Sequence, residues 1–259
     1  MFDALFTTTT EYKKLSHALS GKGACALFGL PASGRAQVYA ALCRQLDKPL
    51  CIVTPGEAEA TRFAADLNTL GIPAAVFPAR DYVLRPIEGT AREYEYRRLA
   101  VLGELVGGRL RAVAVPAEAL TQFTTPKEDF CANTRTLHTG DTLLRDDLLA
   151  ALFGAGYTRR AQVDGPGQFS VRGDIVDIFA PDQKMPVRME FWGDEIDTLH
   201  TFDLTTQRRE DAIDKFYLSP AREVLFGKPA DAAEQLRAFL AKQRGKKKTA
   251  MADCMAADL

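Results

Sequence analysis

Apolar positions along this chain follow two regimes, and the change comes near Pro126. From Gly23 to about Phe123, short apolar runs alternate with stretches whose apolar residues recur every three or four positions. Ala24 to Phe28 reads as a buried strand, followed by a glycine-containing turn and a helix near Ala36 to Leu46. Leu50 to Thr54 repeats the strand. Pro55 and Glu57 then open a helix that puts Phe63, Leu67 and Leu70 on one face and stops at Gly71. Ala74 to Phe77 is a third strand. A helix from about Arg92 to Val106 leads to a strand at Ala112 to Val115, ended by Pro116. Strands alternating with helices require crossover connections, so this half is predicted to be α/β with a mainly parallel sheet.

Beyond Pro126 the spacing tightens. A short helix over about Leu143 to Phe153 is ended by Gly154 and Gly156. Strand-like pieces then follow in quick succession at Tyr157 to Val163, Gln168 to Arg172, Ile175 to Phe179, Val187 to Trp192 and Glu195 to Phe202. Gly165-Pro166-Gly167, Gly173-Asp174 and Gly193-Asp194 suit tight antiparallel turns between them. The pattern predicts an α+β module. After Ser219 it turns helical again, with Leu236, Phe239 and Leu240 as an apolar stripe. Lys242 to Leu259 is basic, then small and polar, a composition expected to be disordered.

Charge narrows the function classes. Lys and Arg number 33 against 34 Asp and Glu, a net charge of -1, so the whole chain lacks the positive excess that strong non-specific nucleic-acid binding needs. The five cysteines, Cys25, Cys43, Cys51, Cys131 and Cys254, are odd in number and show no Cys-x-x-Cys spacing. They are expected to be reduced, mostly buried thiols of a cytoplasmic protein, with no disulfide framework or zinc site. No apolar run approaches the roughly 20 residues of a membrane helix. Glu11, Lys13 and Lys14 interrupt the N-terminal stretch, so neither signal peptide nor anchor is expected.

The segment Gly29-Leu-Pro-Ala-Ser-Gly34-Arg35-Ala36 has the spacing of a phosphate loop, G-x-x-x-x-G-K-[ST], and follows the first expected strand. A working loop holds phosphates on backbone N–H groups and a helix N-terminus, with the Lys on the β- and γ-phosphates and the hydroxyl on magnesium. Arg35 stands where the Lys is needed and Ala36 where the hydroxyl is needed. Alanine cannot ligate a metal, and no apolar run ends in the Asp-Glu pair that completes a magnesium site. Three readings compete: an ATPase relic, a weak anion site and an ordinary strand–turn–helix corner. The relic is preferred, and no cofactor is expected.

Three stretches are more specific. They are Gly156-Tyr-Thr-Arg-Arg, Gly167-Gln-Phe-Ser-Val-Arg-Gly-Asp-Ile-Val-Asp-Ile-Phe179 and Pro186-Val-Arg-Met-Glu-Phe-Trp-Gly-Asp-Glu-Ile-Asp197, followed by Phe202-Asp203 and Thr206-Gln207-Arg208. Together they resemble the interaction module shared by the excision-repair protein UvrB and the transcription-repair coupling factor family, Mfd. In both families that module docks onto UvrA, the damage-recognition ATPase. The degenerate loop, with Phe77-Pro-Ala-Arg-Asp-Tyr82 and Arg92-Glu-Tyr-Glu-Tyr-Arg-Arg-Leu99, resembles the first domain of the coupling factors, not the Tyr-rich clamp of UvrB. Full-length coupling factors add an RNA-polymerase-binding domain and an ATP-dependent DNA translocase motor, and neither is expected within these residues.

The resemblance implies UvrA contacts at the arginines of the Tyr-x-Arg and Val-Arg-Gly motifs, here Arg159 and Arg172, with Phe179 as an apolar neighbour. Taken without it, exposed strand arginines serve solubility and Phe179 is core. Strand parity points Arg172 away from Phe169 and Val171, toward solvent or a partner. Asp174, Asp177, Glu190, Asp194 and Glu195 read as solvated acids, not a metal site. His17, His138 and His200 are scattered without partners at ligand or triad spacing. Lys246-Lys247-Lys248 reads as a solvated tail.

The expected organisation is a degenerate helicase-like α/β domain over residues 1–125, an inserted UvrA-interaction module over 126–215, and a helical return to the first domain plus tail over 216–259. The implied function is non-enzymatic recruitment of UvrA in transcription-coupled nucleotide-excision repair. A UvrB-like nucleotide-dependent damage-handling protein and an autoinhibitory scaffold for a translocase motor are the alternatives.

Overall fold

The structure, a computed structural model, describes residues 7–21, 24–46, 48–80 and 92–225. The expected helix with Leu236, Phe239 and Leu240, the tail from Lys242, and Asp81 and Tyr82 lie outside these residues. The chain divides into two compact units, Met1–Arg80 with Ala100–Phe123, and Asp81–Leu99 with Thr124–Leu259.

In the first unit, helix α1 (Thr10–Ser20) is capped by the Thr9 hydroxyl, which accepts the Tyr12 N–H at 3.3 Å. Its Tyr12 and Leu15 pack on Val38, Ala41 and Leu42 of α2 (Ala32–Gln45). Strands β1 (Leu50–Thr54), β2 (Ala74–Val76) and β3 (Ala112–Pro116) form a parallel sheet in the order β1-β3-β2, as the alternating pattern predicts. Between β1 and β2, α3 (Glu57–Thr69) buries Ala60, Phe63, Ala64 and Leu67. It ends where Gly71 adopts φ +75°, a left-handed conformation that favours glycine. On the opposite face of the sheet, Val101, Leu102 and Leu105 of α4 (Glu93–Val106) cover Val113 and Val115. Cys51 and Val53 are in register with those valines yet stay exposed.

Two expectations fail in this unit. Ala24 to Phe28 forms no strand, and Phe28 is 90% exposed. Its three small residues, Ala24, Cys25 and Ala26, bury too little apolar area to offset the ordering cost of a strand. Cysteine burial is also less than expected: Cys43 is buried, whereas Cys25 and Cys51, and Cys131 of the second unit, are exposed free thiols.

In the second unit, after the short helices α5 (Ala117–Leu120, still in the first unit) and α6 (Lys127–Ala132), β4 (Arg135–His138) pairs antiparallel with β11 (Lys215–Leu218). Helix α7 (Arg145–Gly154) leads to β5 (Thr158–Arg159), β6 (Gln168–Arg172), β7 (Ile175–Phe179), β8 (Val187–Trp192), β9 (Glu195–Phe202) and β10 (Arg209–Ala212). These six strands make one sheet in the order β10-β9-β8-β7-β6-β5, antiparallel except at β5–β6. One face packs Phe169, Val176, Ile178, Val187, Met189, Phe191 and Leu199 on Leu148 and Leu152 of α7. Each fully buried leucine stabilises the unit by about 1.5–3 kcal/mol. The strand expected over Tyr157 to Val163 shrinks to two residues. Val163 instead leaves the ladder to pack with Phe179 and Phe202 on the other face of the sheet.

No helix among the described residues is long and apolar enough to cross a membrane, and no cluster of His, Cys, Asp or Glu among them could hold a metal ion.

Candidate partner-binding face

Two hairpins set the geometry of the second unit's outer sheet face. Gly173-Asp174 and Gly193-Asp194 are two-residue turns whose first glycine has φ of +61° and +63°, the requirement of a type II′ turn. The first turn fixes Arg172 opposite Ile175 and Ser170 opposite Asp177; the β7–β8 register then sets Asp177 opposite Arg188, and β8–β9 sets Arg188 opposite His200. Successive side chains alternate between faces, so Ser170, Arg172, Asp177, Phe179 and Arg188 all lie opposite the apolar core.

Asp177 is the centre of this row. It is fully buried and binds Arg188 through two contacts, Nε to Oδ1 at 2.6 Å and Nη2 to Oδ2 at 2.9 Å. Arg172 Nη2 donates to the same Oδ2 at 2.8 Å, and the Ser170 hydroxyl reaches it at 3.5 Å. Arg188 also donates from Nη1 to the Gln207 carbonyl at 3.2 Å, and its guanidinium lies 4.7 Å from the Phe202 ring centroid. Reading Asp177 as a solvated acid is therefore wrong. Parity and the two-residue turn together were the signal that could have found it, since they place Asp177 beside Ser170 on the face of Arg172.

Arg172 remains half-exposed, and Arg159 is exposed on the short edge strand. Arg159 is in register with Phe169, which places it on the core side of the sheet, whereas Arg172 is on the outer side. The sequence-selected arginines therefore flank β6 from opposite faces. Phe179 is 6% exposed and packs with Val163 and Phe202, so it floors the outer face more than it projects from it. Trp192, the chain's one tryptophan, sits 83% exposed at the tip of the β8–β9 hairpin, a position the sequence reading left aside.

Neighbouring groups are held firmly. The Tyr157 hydroxyl donates to the Ser219 carbonyl at 2.7 Å, and burial pushes its ionisation well above the ordinary tyrosine range, with the Asp182 carboxylate adding to the shift. The Asp203 carboxylate accepts the N–H groups of Thr206 and Thr205 at 2.7 and 3.1 Å; these bonds, Thr206's first, lower its pKa.

The phosphate-loop segment looks different from a nucleotide cradle. Gly29 lies in a bend with φ +80°, and α2 begins at Ala32, so Gly34, Arg35 and Ala36 are all within the helix. The Arg35 N–H donates to the Pro31 carbonyl at 3.1 Å, and Ala36 is buried. The strand that should precede the loop is absent and the Arg35 N–H is engaged within the helix, so this segment does not form the expected strand–loop–helix corner.

Comparison with known proteins places this face in a family. The family model described as the UvrB interaction domain matches residues 136–224, which contain every strand of the six-stranded sheet. The transcription-repair-coupling factor of Myxococcus xanthus is 35% identical over 208 residues, 76% of this chain and 17% of that protein. That of Bacillus subtilis is 28% identical over 201 residues, 77% of this chain and 17% of that protein. The UvrABC system protein B of Chlorobium limicola is 28% identical over 226 residues, 82% of this chain and 32% of that protein. The chain thus spans under one fifth of the length of these coupling factors and about a third of that of the UvrB protein. The resemblance read from the Val-Arg-Gly and Trp-Gly-Asp-Glu motifs is borne out: residues 136–224 match the UvrB interaction domain, in a chain similar to the transcription-repair-coupling factors.

Proposed function

We propose that the second unit recruits UvrA in transcription-coupled nucleotide-excision repair, in the cytoplasm, by protein–protein binding and without catalysis of its own. The match to the UvrB interaction domain carries this reading. Arg172 is its first contact. It is exposed on a face whose one buried carboxylate is already satisfied by Arg188, so it offers net positive charge to an acidic partner. Arg159 contributes from the edge strand, and Phe179 supports the outer face that carries Arg172. Contacts with RNA polymerase and DNA, and translocation driven by ATP, belong in this reading to the rest of a coupling factor.

The first unit is read as a helicase-like domain that has lost nucleotide binding. Its parallel sheet supports the kinship, and the consumption of the Arg35 N–H by the helix supports the loss.

Titration of purified UvrA against the wild-type chain, Arg159→Ala and Arg172→Ala tests the proposal, with circular dichroism confirming that each is folded. Each substitution should weaken binding by about 1–3 kcal/mol, roughly 5- to 150-fold. Equal binding by all three would remove the site assignment, and a wild-type chain that ignores UvrA would remove the function.

A further inference from the structure

We infer that Asp177 is a positioning residue for partner recognition: pinned by Arg188, it grips one edge of the Arg172 guanidinium and turns the other edge outward for a carboxylate of the partner. The inference rests on the proposal that this face binds UvrA.

One buried carboxylate meets two guanidinium groups, so the cluster carries one uncompensated positive charge. Arg188 is nearly buried, bound through two of its nitrogens to Asp177 and through the third to Gln207, with its plane against Phe202. It has no edge left to offer. The excess charge therefore appears at Arg172, whose side chain is 49% exposed and uses only Nη2 on Asp177.

An arginine tethered in this way differs from one waving in solvent. A free arginine gives up rotamer entropy when it docks, about 2 kcal/mol for the whole side chain. Arg172 has given up part of it already in folding. Its guanidinium is planar, so the single Nη2 bond to Asp177 restrains the plane, and an outward edge can then offer two parallel N–H groups to a carboxylate. Lysine could not present the same fork. Its ammonium has three donors but no planar edge that meets a carboxylate with two parallel N–H groups. The Ser170 hydroxyl, in register with Asp177, donates at 3.5 Å to the same Oδ2 that holds Arg172.

The test is a double-mutant cycle on the full chain, with UvrA affinity as the readout. Asp177→Asn keeps the shape and removes the charge that holds Arg172. It should weaken UvrA binding several-fold in the wild-type background and have no effect in the Arg172→Ala background, a coupling of roughly 2- to 150-fold in affinity. Equal weakening in both backgrounds would overturn the inference, because the effect would then be general to the fold. No weakening in the wild-type background would overturn it as well. If Arg172→Ala itself binds UvrA normally, the failure lies in the functional proposal and not in the role of Asp177. Should Asp177→Asn fail to fold, Arg172→Lys carries the decision: it should bind nearly as poorly as Arg172→Ala, and wild-type affinity for the lysine variant would overturn the inference.

Discussion

Arg98 and Glu223 lie 125 residues apart in the chain and form a completely buried ion pair in the second unit, with Arg98 Nε 2.9 Å from Oε2 and Nη2 2.8 Å from Oε1. The Glu223 N–H donates to the Glu95 carboxylate at 2.9 Å, and the Thr125 hydroxyl donates to the Glu223 carbonyl. Residues from the start of α4 are thereby fastened to the chain that follows β11.

Breaking that pair from one side leaves a charge buried without its partner. Arg98→Met should lower the stability of the second unit by about 3–5 kcal/mol, while Arg98→Met combined with Glu223→Leu should recover most of the loss. Urea unfolding followed by circular dichroism measures both. A single variant as stable as the wild type would show that the pair contributes nothing.

Tyr157 gives the unit an alkaline limit. Its folded-state pKa is raised well above the ordinary value of about 10, chiefly by desolvation. The folded state therefore holds this proton more tightly than the unfolded chain. The associated stability is fully present below about pH 10 and is lost as pH rises toward the folded-state pKa. Thermal melts between about pH 8 and about pH 11 should fall steeply at the alkaline end. Tyr157→Phe lacks the titrating group and should fall less steeply, from a lower start because the bond to Ser219 is gone. Parallel curves for the two proteins would assign the alkaline loss to other groups.

The fold was legible where local chemistry determines it. The glycines at 173 and 193 set hairpins whose registers follow from a two-residue turn, and the spacing of Phe63 and Leu67 gives α3 and its buried face. Pairing of β4 with β11 was not legible. Only Leu137 of β4 is buried, Lys215 begins β11, and about 80 residues separate strands too short to carry a clear period. Arg159 and Arg172 could be selected by motif, but not the fact that they flank β6 from opposite faces, because that depends on the parallel pairing of β5. The Arg98–Glu223 pair has no local trace at all: each residue reads alone as an ordinary surface charge.

Restoring the phosphate-loop consensus should not restore nucleotide binding. In Arg35→Lys with Ala36→Thr, the amide at position 35 would still be committed to the Pro31 carbonyl inside α2. Calorimetry with ATP and magnesium should show no saturable heat for the wild type or the double variant. Saturable binding by the double variant alone would mean that side-chain chemistry, not the early helix start, had closed the site.

The discontinuous second unit also imposes a schedule on biosynthesis. Arg98 is synthesised 125 residues before Glu223, and β4 likewise waits for β11, so these contacts close only after the six-stranded sheet has been translated. Contacts that close such long loops form slowly, because the entropy of closure is lost before the contact rewards it. A nascent chain arrested before residue 215 would lack both the strand that pairs with β4 and the Glu223 carboxylate that binds Arg98.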